Sequence, residues 1–583
     1  MLTTDVLIIG SEGAGARAAW EVADRGLQVT VVTKGRFTRS GATLTAAADL
    51  DVDSGSLYRL LGPEPLISGV PPNPADSPEV FFRDMLVEGK WLNDQRQTLA
   101  HVEDVPERAR EVLEAGLRVY DVRQMPGHSY PRNMYTSGHD LIQVLKREIK
   151  RRPVRMIEDV MVTDLLTRDG QVVGAVGLDL ERGEPVAFAA KAVIMATGGA
   201  HNVFEYNTGP EELTGDGQAM ALRAGAELLN MEMMQFLPTT IVTPPLARGN
   251  LFPFLLGPQN ALRVWLLNKY GERFMGRWDP ERMEHSTRDL LSIGIQTEIL
   301  EGRGSEHGGV YMSLQHLPRN LIDYFAQWGA KPFIRKDWYS HGLNFADLME
   351  RVKAGEAIEV APAAHFFMGG IRVDEWGVAT LPGLFAGGEV TGGCHGANRL
   401  SGNAFAQILV QGQRAGAAAV NFAKASRAVP EPDRAQVKAL QAEAMAPIAR
   451  EGLSSFEVRE ELRNLAQQKV GVLRDGPLIR EALERFEAIC RDAVPRLAAR
   501  NRDRVYNPEW IECLQVANLA LTTAAVARGA LAREESRGAH FRRDFPRMDT
   551  TRGPQNTIQR LVDGIVETRL EPVPTPILAP PRE

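Results

Sequence analysis

The sequence predicts an α/β chain in three parts: a dinucleotide-binding domain, an α+β domain inserted into it, and a helical domain near the C-terminal end. Three observations predict it. The chain begins strand, glycine turn, helix, strand. A second glycine-rich strand-to-helix turn returns far downstream, between Ala361 and Gly416. From about Arg434 the pattern becomes helical and charged.

The first strand is Asp5-Val-Leu-Ile-Ile-Gly10, a continuous apolar run of the kind buried on both faces. GSEGAGARAAWEVADRG follows as a turn opening a helix, and GLQVTVVTK gives a second strand ending near Lys34. Together they have the length of a dinucleotide-binding βαβ unit. The turn departs from the Gly-x-Gly-x-x-Gly pattern, because Gly10 and Gly15 hold the outer positions but Glu12 the middle one, with Gly13 beside it. The middle glycine normally lets backbone approach a pyrophosphate. Glu12 therefore requires a side chain turned aside or a different loop geometry. No acid stands at the tip of the second strand, where Thr33 and Lys34 lie, which disfavours a nicotinamide cofactor as first ligand.

Residues 55–150 read as an insertion with several helices. Thr136 or Ser137 can cap one of them, with Leu141, Ile142, Leu145 and Ile149 as its apolar face. VMVTDLL and QVVGAVGLDL predict a hairpin turning at Asp169-Gly170, and AKAVIMATGGA a buried strand ending at Gly198-Gly199. Thr214-Gly215-Asp216-Gly217 opens the next helix. From about Thr243 to Glu356 aromatic and charged residues increase and strand signals are few. This predicts the inserted domain, with a helix around HSTRDLLSIGIQTEILEGRG carrying Arg288. Taken alone, Arg288 beside Asp289 reads as a surface ion pair. In the Ala361–Gly416 stretch, GLFAGGE ends on Glu389 and HGANRLSGNA leads into a helical run. His365, His395 and Arg399 fall here, and such a turn aims N–H groups at an anion. Four apolar-periodic stretches after Arg434 suggest an antiparallel bundle, and from Phe541 the chain reads as strand and tail.

Composition narrows the function. The 583 residues are 44% hydrophobic with a formal charge of -7, so the chain can build two or three cores and shows no basic footprint for nucleic acid. Cys394, Cys490 and Cys513 stand far apart, so no zinc site or iron–sulfur cluster is expected from this chain alone. Free thiols suit a reducing cytoplasm, and the first strand is entered by Thr4, leaving no room for a signal peptide. No apolar run reads as long enough to span a bilayer, so membrane attachment is expected only through a partner.

ATGGA, GDGQAMALRAGA, LLNKYGERFM, TRD, HFFMGGI, GLFAGGE, HGANRLSGNA and ARGALAREESRGAHFRRDFP together give a resemblance that runs almost end to end. The chain resembles the flavoprotein subunits of succinate dehydrogenase and fumarate reductase; L-aspartate oxidase and the alpha subunit of adenylylsulfate reductase are cousins. The resemblance implies an FAD-binding domain in two parts, 1–242 and 357–433, a capping domain at 243–356, and a C-terminal helical domain and tail at 434–583. It implies that Gly10, Gly13, Gly15, Lys34, Ser40 and Gly41 line the FAD from the first part. Thr197, Gly198, Asp216 and Glu389 would do so further on, and Arg399, Asn403 and Ala404 from the second turn. It implies that His365 and Arg399 hold a carboxylate and that Arg288 exchanges a proton. A partner iron–sulfur subunit would carry the electrons.

Three departures qualify the resemblance. The covalent-FAD members carry a histidine after a serine in the loop beyond the second strand, whereas here the loop is Arg39-Ser40-Gly41-Ala42-Thr43, so noncovalent FAD is expected. The family's QFHPTG is Gln235-Phe236-Leu237-Pro238-Thr239-Thr240, and its TEGxRGEG has become Thr243 to Asn250, with Pro244 at the relay glutamate. Leucine and proline cannot bind a second carboxylate or relay a proton, so a different or larger substrate than succinate or fumarate, or none, is expected, and an apolar wall at Leu237, near PPLARGNLFPFLLG, would fit a bulkier acid or thioester. Alternatives are adenylylsulfate reductase-like chemistry, or a flavin subunit that only transfers electrons within a larger complex. His128, His139, His201 and His540 stand singly and read as structural.

Overall fold

The computed structural model describes residues 1–46, 49–66, 69–249, 264–329 and 345–581. Its centre is a seven-stranded sheet. Strand β1 (Leu2–Ile9) lies between β2 (Val29–Val32) and the strand Glu184–Met195, parallel to both. Val154–Ile157 adds to the outside of β2, and the hairpin Val160–Arg168/Gln171–Asp179 extends the other side. The hairpin turns at Asp169 and Gly170, both with positive φ, as the sequence predicts. Val6, Leu7 and Ile8 are fully buried, which is why this run carries no polar alternation.

Helix α1 (Gly13–Asp24) packs on the sheet and against the long helix Asn403–Ala425. Two glycines allow that approach. A methyl group at Gly15 would lie 1.9 Å from the Gly10 carbonyl oxygen, and one at Gly13 would lie 2.1 Å from Ile408 Cδ1. Gly13 and Gly15 thus bring helix, strand and second helix together behind the turn.

The insertion at 55–150 contributes helices Ser54–Leu61, Pro78–Glu88, Gln95–Glu114 and Gly138–Lys150. Ser137 caps the last, its hydroxyl accepting from the Asp140 amide, and Leu141, Ile142, Leu145 and Ile149 are buried.

The chain leaves the central domain along Met234–Ile241 and returns along Ile358–Phe367. These two strands pair antiparallel, and Val310–Ser313 and Trp265–Leu267 complete a four-stranded sheet beside the helix Arg288–Leu300. The few strand signals expected here correspond to strands of three and four residues, too short to establish an alternating pattern.

Helices Arg434–Ala449, Ser455–Lys469, Gly476–Ala488 and Pro508–Ala532 follow. Pro508–Ala532 corrects one expectation. It is long and apolar enough to cross a membrane by length and composition, but 72% of its apolar window is buried inside the protein, as in a core helix. The terminal hairpin Gln555–Val562/Ile565–Pro572 returns to pair with Leu228–Leu229 of the central domain.

Candidate active site

One continuous cavity runs between the α1 turn, the second glycine turn and the inserted domain. At its nucleotide end, Gly10, Gly13, Ser40 and Gly41 line the wall. Lys34, at the end of β2, donates to Asp216 Oδ2 at 2.7 Å and to the Glu212 carbonyl at 2.6 Å. Asp216 is held in turn by Thr214 Oγ1 and Asn518 Nδ2, each at 2.9 Å. Thr197 and Gly198, from the strand beside β1, also line the cavity. Gly15 and Asn403 do not. Gly15 faces the β1 backbone, and Asn403 Oδ1 lies 3.1 Å from His101 Nε2 while its neighbour Ala404 reaches the cavity.

Glu12 turns aside from the turn. Its Oε2 accepts from the Leu44 amide at 3.1 Å, its stem packs against Gly41, and burial pushes its carboxyl up to about 7. Glu12 Oε1 and Thr197 Oγ1 are buried with no protein partner. Unpaired polar atoms beside a glycine turn fit the polar parts of a dinucleotide, which would supply their missing hydrogen bonds.

At the other end the cavity gathers Arg288, His365 and Arg399, three residues 77 and 34 positions apart in the chain. Arg288 opens its helix and donates to Gln235 Oε1 and Ser401 Oγ, both at 3.0 Å. Arg399 stacks 4.3 Å from the Phe366 ring centre, and its Nε has no partner. Enclosure pulls Arg288 down to about 10. Enclosure and then the Arg288 charge pull Arg399 down to about 9. His365 Nδ1 lies 2.7 Å from Thr208 Oγ1, and burial with the two guanidiniums holds its pKa well below the ordinary value. Two closely placed guanidiniums and a neutral imidazole make an anion site suited to a carboxylate.

Leu237 and Pro238 line the same cavity, whereas Pro244 is exposed and outside its lining. The expected apolar wall falls largely on residues 250–263, outside the described residues.

Several cavity groups escape sequence reasoning. His201, expected as structural, lines the cavity with Nε2 at 2.6 Å from Glu389 Oε1, which also accepts from the Phe367 amide. Its partner lies 188 residues away, so no local spacing could reveal it. The acids Asp49 and Glu88 also line the cavity, and Asp51 is buried near Asp49, its carboxyl raised by burial and then by Asp49. His128 and His540 are buried, and each makes structural hydrogen bonds, to the Ser401 carbonyl and to Arg474 respectively.

A βαβ nucleotide unit, a second glycine turn and an inserted domain bringing an arginine to the cavity define an FAD-dependent oxidoreductase. An FAD binding domain family model matches residues 5–405 and a fumarate reductase flavoprotein C-terminal model matches residues 459–582. The chain is 38% identical over 560 residues to a chain of the fumarate reductase (CoM/CoB) of Methanothermobacter marburgensis, covering 93% of this chain and 94% of the relative. It is 31% identical to the fumarate reductase flavoprotein subunit of Mycobacterium tuberculosis, covering 98% and 97%. The structure of Mycobacterium smegmatis Sdh1 in complex with UQ1 superposes with a TM-score of 0.85 at 32% identity, covering 99% and 95%. The chain belongs to the succinate dehydrogenase/fumarate reductase flavoprotein family, and its cofactor is FAD.

Proposed function

We propose that this flavoprotein oxidises or reduces a carbon–carbon bond beside a carboxyl group, with segment 243–356 capping the site and an iron–sulfur subunit carrying the electrons. The observation that supports it is the convergence of Arg288, His365 and Arg399 in the cavity that also holds the FAD turn residues. FAD, when bound, supplies the two-electron acceptor or donor for hydride. Gly10, Gly13, Lys34, Ser40, Gly41, Thr197, Gly198, Asp216, Glu389 and Ala404 would hold it.

The chain's own groups bind and orient the acid. Arg399 pairs with the carboxylate in fork geometry, its position fixed by Phe366. His365 Nδ1 lies 2.7 Å from Thr208 Oγ1, and in the tautomer that carries its proton on Nε2 the imidazole donates to the same carboxylate. Arg288, pulled down to about 10 and held by Gln235 and Ser401, holds the proton that the substrate carbon gains or loses. Membrane attachment, where present, would come through the partner.

The test is a panel of enoic acids assayed by oxidation of a reduced viologen dye. Arg288→Ala should lower turnover about 100-fold or more while FAD content stays at one per chain. Unchanged turnover would overturn the proton role of Arg288, and no turnover of any acid by the wild type would instead favour a flavoprotein that only relays electrons. FAD should be noncovalent, because the only histidines on the described cavity wall are His201 and His365, away from the Ser40–Gly41 loop. Acid precipitation should release all the flavin, and flavin retained on a peptide would overturn this.

A further inference from the structure

Glu88 is the last residue of the helix Pro78–Glu88 and is 8% exposed, yet it lines the cavity that holds Arg288 and Arg399. Its setting is built. Arg288 Nη1 donates to Gln235 Oε1 at 3.0 Å, Gln235 Nε2 donates to Asn398 Oδ1 at 2.8 Å, and Asn398 Nδ2 donates to Glu88 Oε1 at 2.5 Å. Each amide in this chain has its oxygen and nitrogen assigned by a partner on both sides. Glu88 Oε1 is thereby committed as an acceptor. Glu88 Oε2 has no hydrogen-bond partner among the described residues. On the cavity wall, a carboxylate oxygen with no protein donor is free to accept one from a ligand.

Resting on the proposed carboxylate chemistry, we infer that Glu88 selects the substrate: the cavity takes acids whose other end carries a hydrogen-bond donor, a hydroxyl or ammonium, and disfavours a second carboxylate. Leu237 on the cavity wall offers a second carboxylate no donor, and Glu88 meets it with like charge. The charged groups around Glu88 are Asp289 and Arg288 on the inserted helix, Arg282 before it, and Lys90 on its own turn. Burial and Asp289 push its carboxyl up to about 7 against Lys90 and Arg282, so it is mostly ionised at about pH 8.

The test uses the full chain loaded with FAD at about pH 8. Fumarate, crotonate and 4-hydroxycrotonate are titrated by the change in flavin absorbance. The wild type should bind 4-hydroxycrotonate about tenfold tighter than fumarate, and Glu88→Gln should collapse that ratio mainly by tightening fumarate. Glu88→Ala, scored only with full FAD content, should also tighten fumarate and weaken 4-hydroxycrotonate. Ratios unchanged in both variants would overturn the selection by Glu88 and leave the carboxylate site standing. If none of the acids perturbs the wild-type flavin, the proposed function fails and this inference with it.

Discussion

At the scale of single residues, Glu12 shows how an unfavourable substitution is accommodated. It occupies the position where a dinucleotide turn usually has glycine, and it avoids the turn by binding the Leu44 amide. The cost is a carboxyl raised from 4.5 to about 7, mainly by burial. Between these values the native state binds more protons than the unfolded chain. Glu12 therefore makes the apoprotein less stable as pH rises from about 4.5 to about 7. A diphosphate held at the α1 N-terminus would add negative charge nearby and raise the carboxyl further, so FAD binding would take up a proton. The affinity for FAD should then weaken by up to about tenfold per unit above pH 7, and Glu12→Gln should flatten the curve and bind tighter at high pH. Fluorescence titration of apoprotein from about pH 6 to about pH 8.5 checks this. Parallel curves for wild type and variant would rule out the role.

At the scale of elements, legibility followed length and burial. The β1–α1–β2 unit was readable because fully buried parallel strands leave continuous apolar runs, and the Asp169-Gly170 hairpin because its turn requires positive φ. The sheet of the inserted domain was not, since two of its strands span only Trp265–Leu267 and Val310–Ser313. The site divides in the same way. Arg288, His365 and Arg399 stood in recognisable motifs, whereas His201, Asp49 and Glu88 acquire their neighbours only through the tertiary fold. The glycine turn carries an element-level prediction. At Gly15 the obstacle to a methyl group is the Gly10 backbone carbonyl, which cannot rotate away as a side chain could. Gly15→Ala should therefore cost about 3 kcal/mol or more by forcing α1 off the strand. Urea unfolding of the apoprotein measures it, and a loss below about 1 kcal/mol would mean that the helix start is loose.

At the scale of the whole molecule, the FAD cavity draws on parts of the chain hundreds of residues apart. At its glycine-turn end Asp216 lines the wall and pairs with Lys34, and the buried Asn518 of the helix Pro508–Ala532 donates to the other Asp216 oxygen at 2.9 Å. On the next turn Thr522 donates to the Gly215 carbonyl at 3.3 Å. The helix that resembles a membrane span by composition is thus a structural support of the cavity wall at Asp216. Asn518 does not line the cavity; it reaches it through Asp216, while its own Oδ1 accepts from Arg223 Nη1 at 2.8 Å. Asn518→Ala should leave Asp216 Oδ1 with Thr214 as its side-chain donor and let the Lys34 pair shift. FAD affinity should fall about three- to tenfold and apoprotein stability by about 1–2 kcal/mol. Titration of apoprotein with FAD and parallel urea unfolding separate the two effects. A stability loss with unchanged affinity would make the contact purely architectural. A parallel loss of both would show that the C-terminal helix and the flavin site are energetically coupled through Asn518.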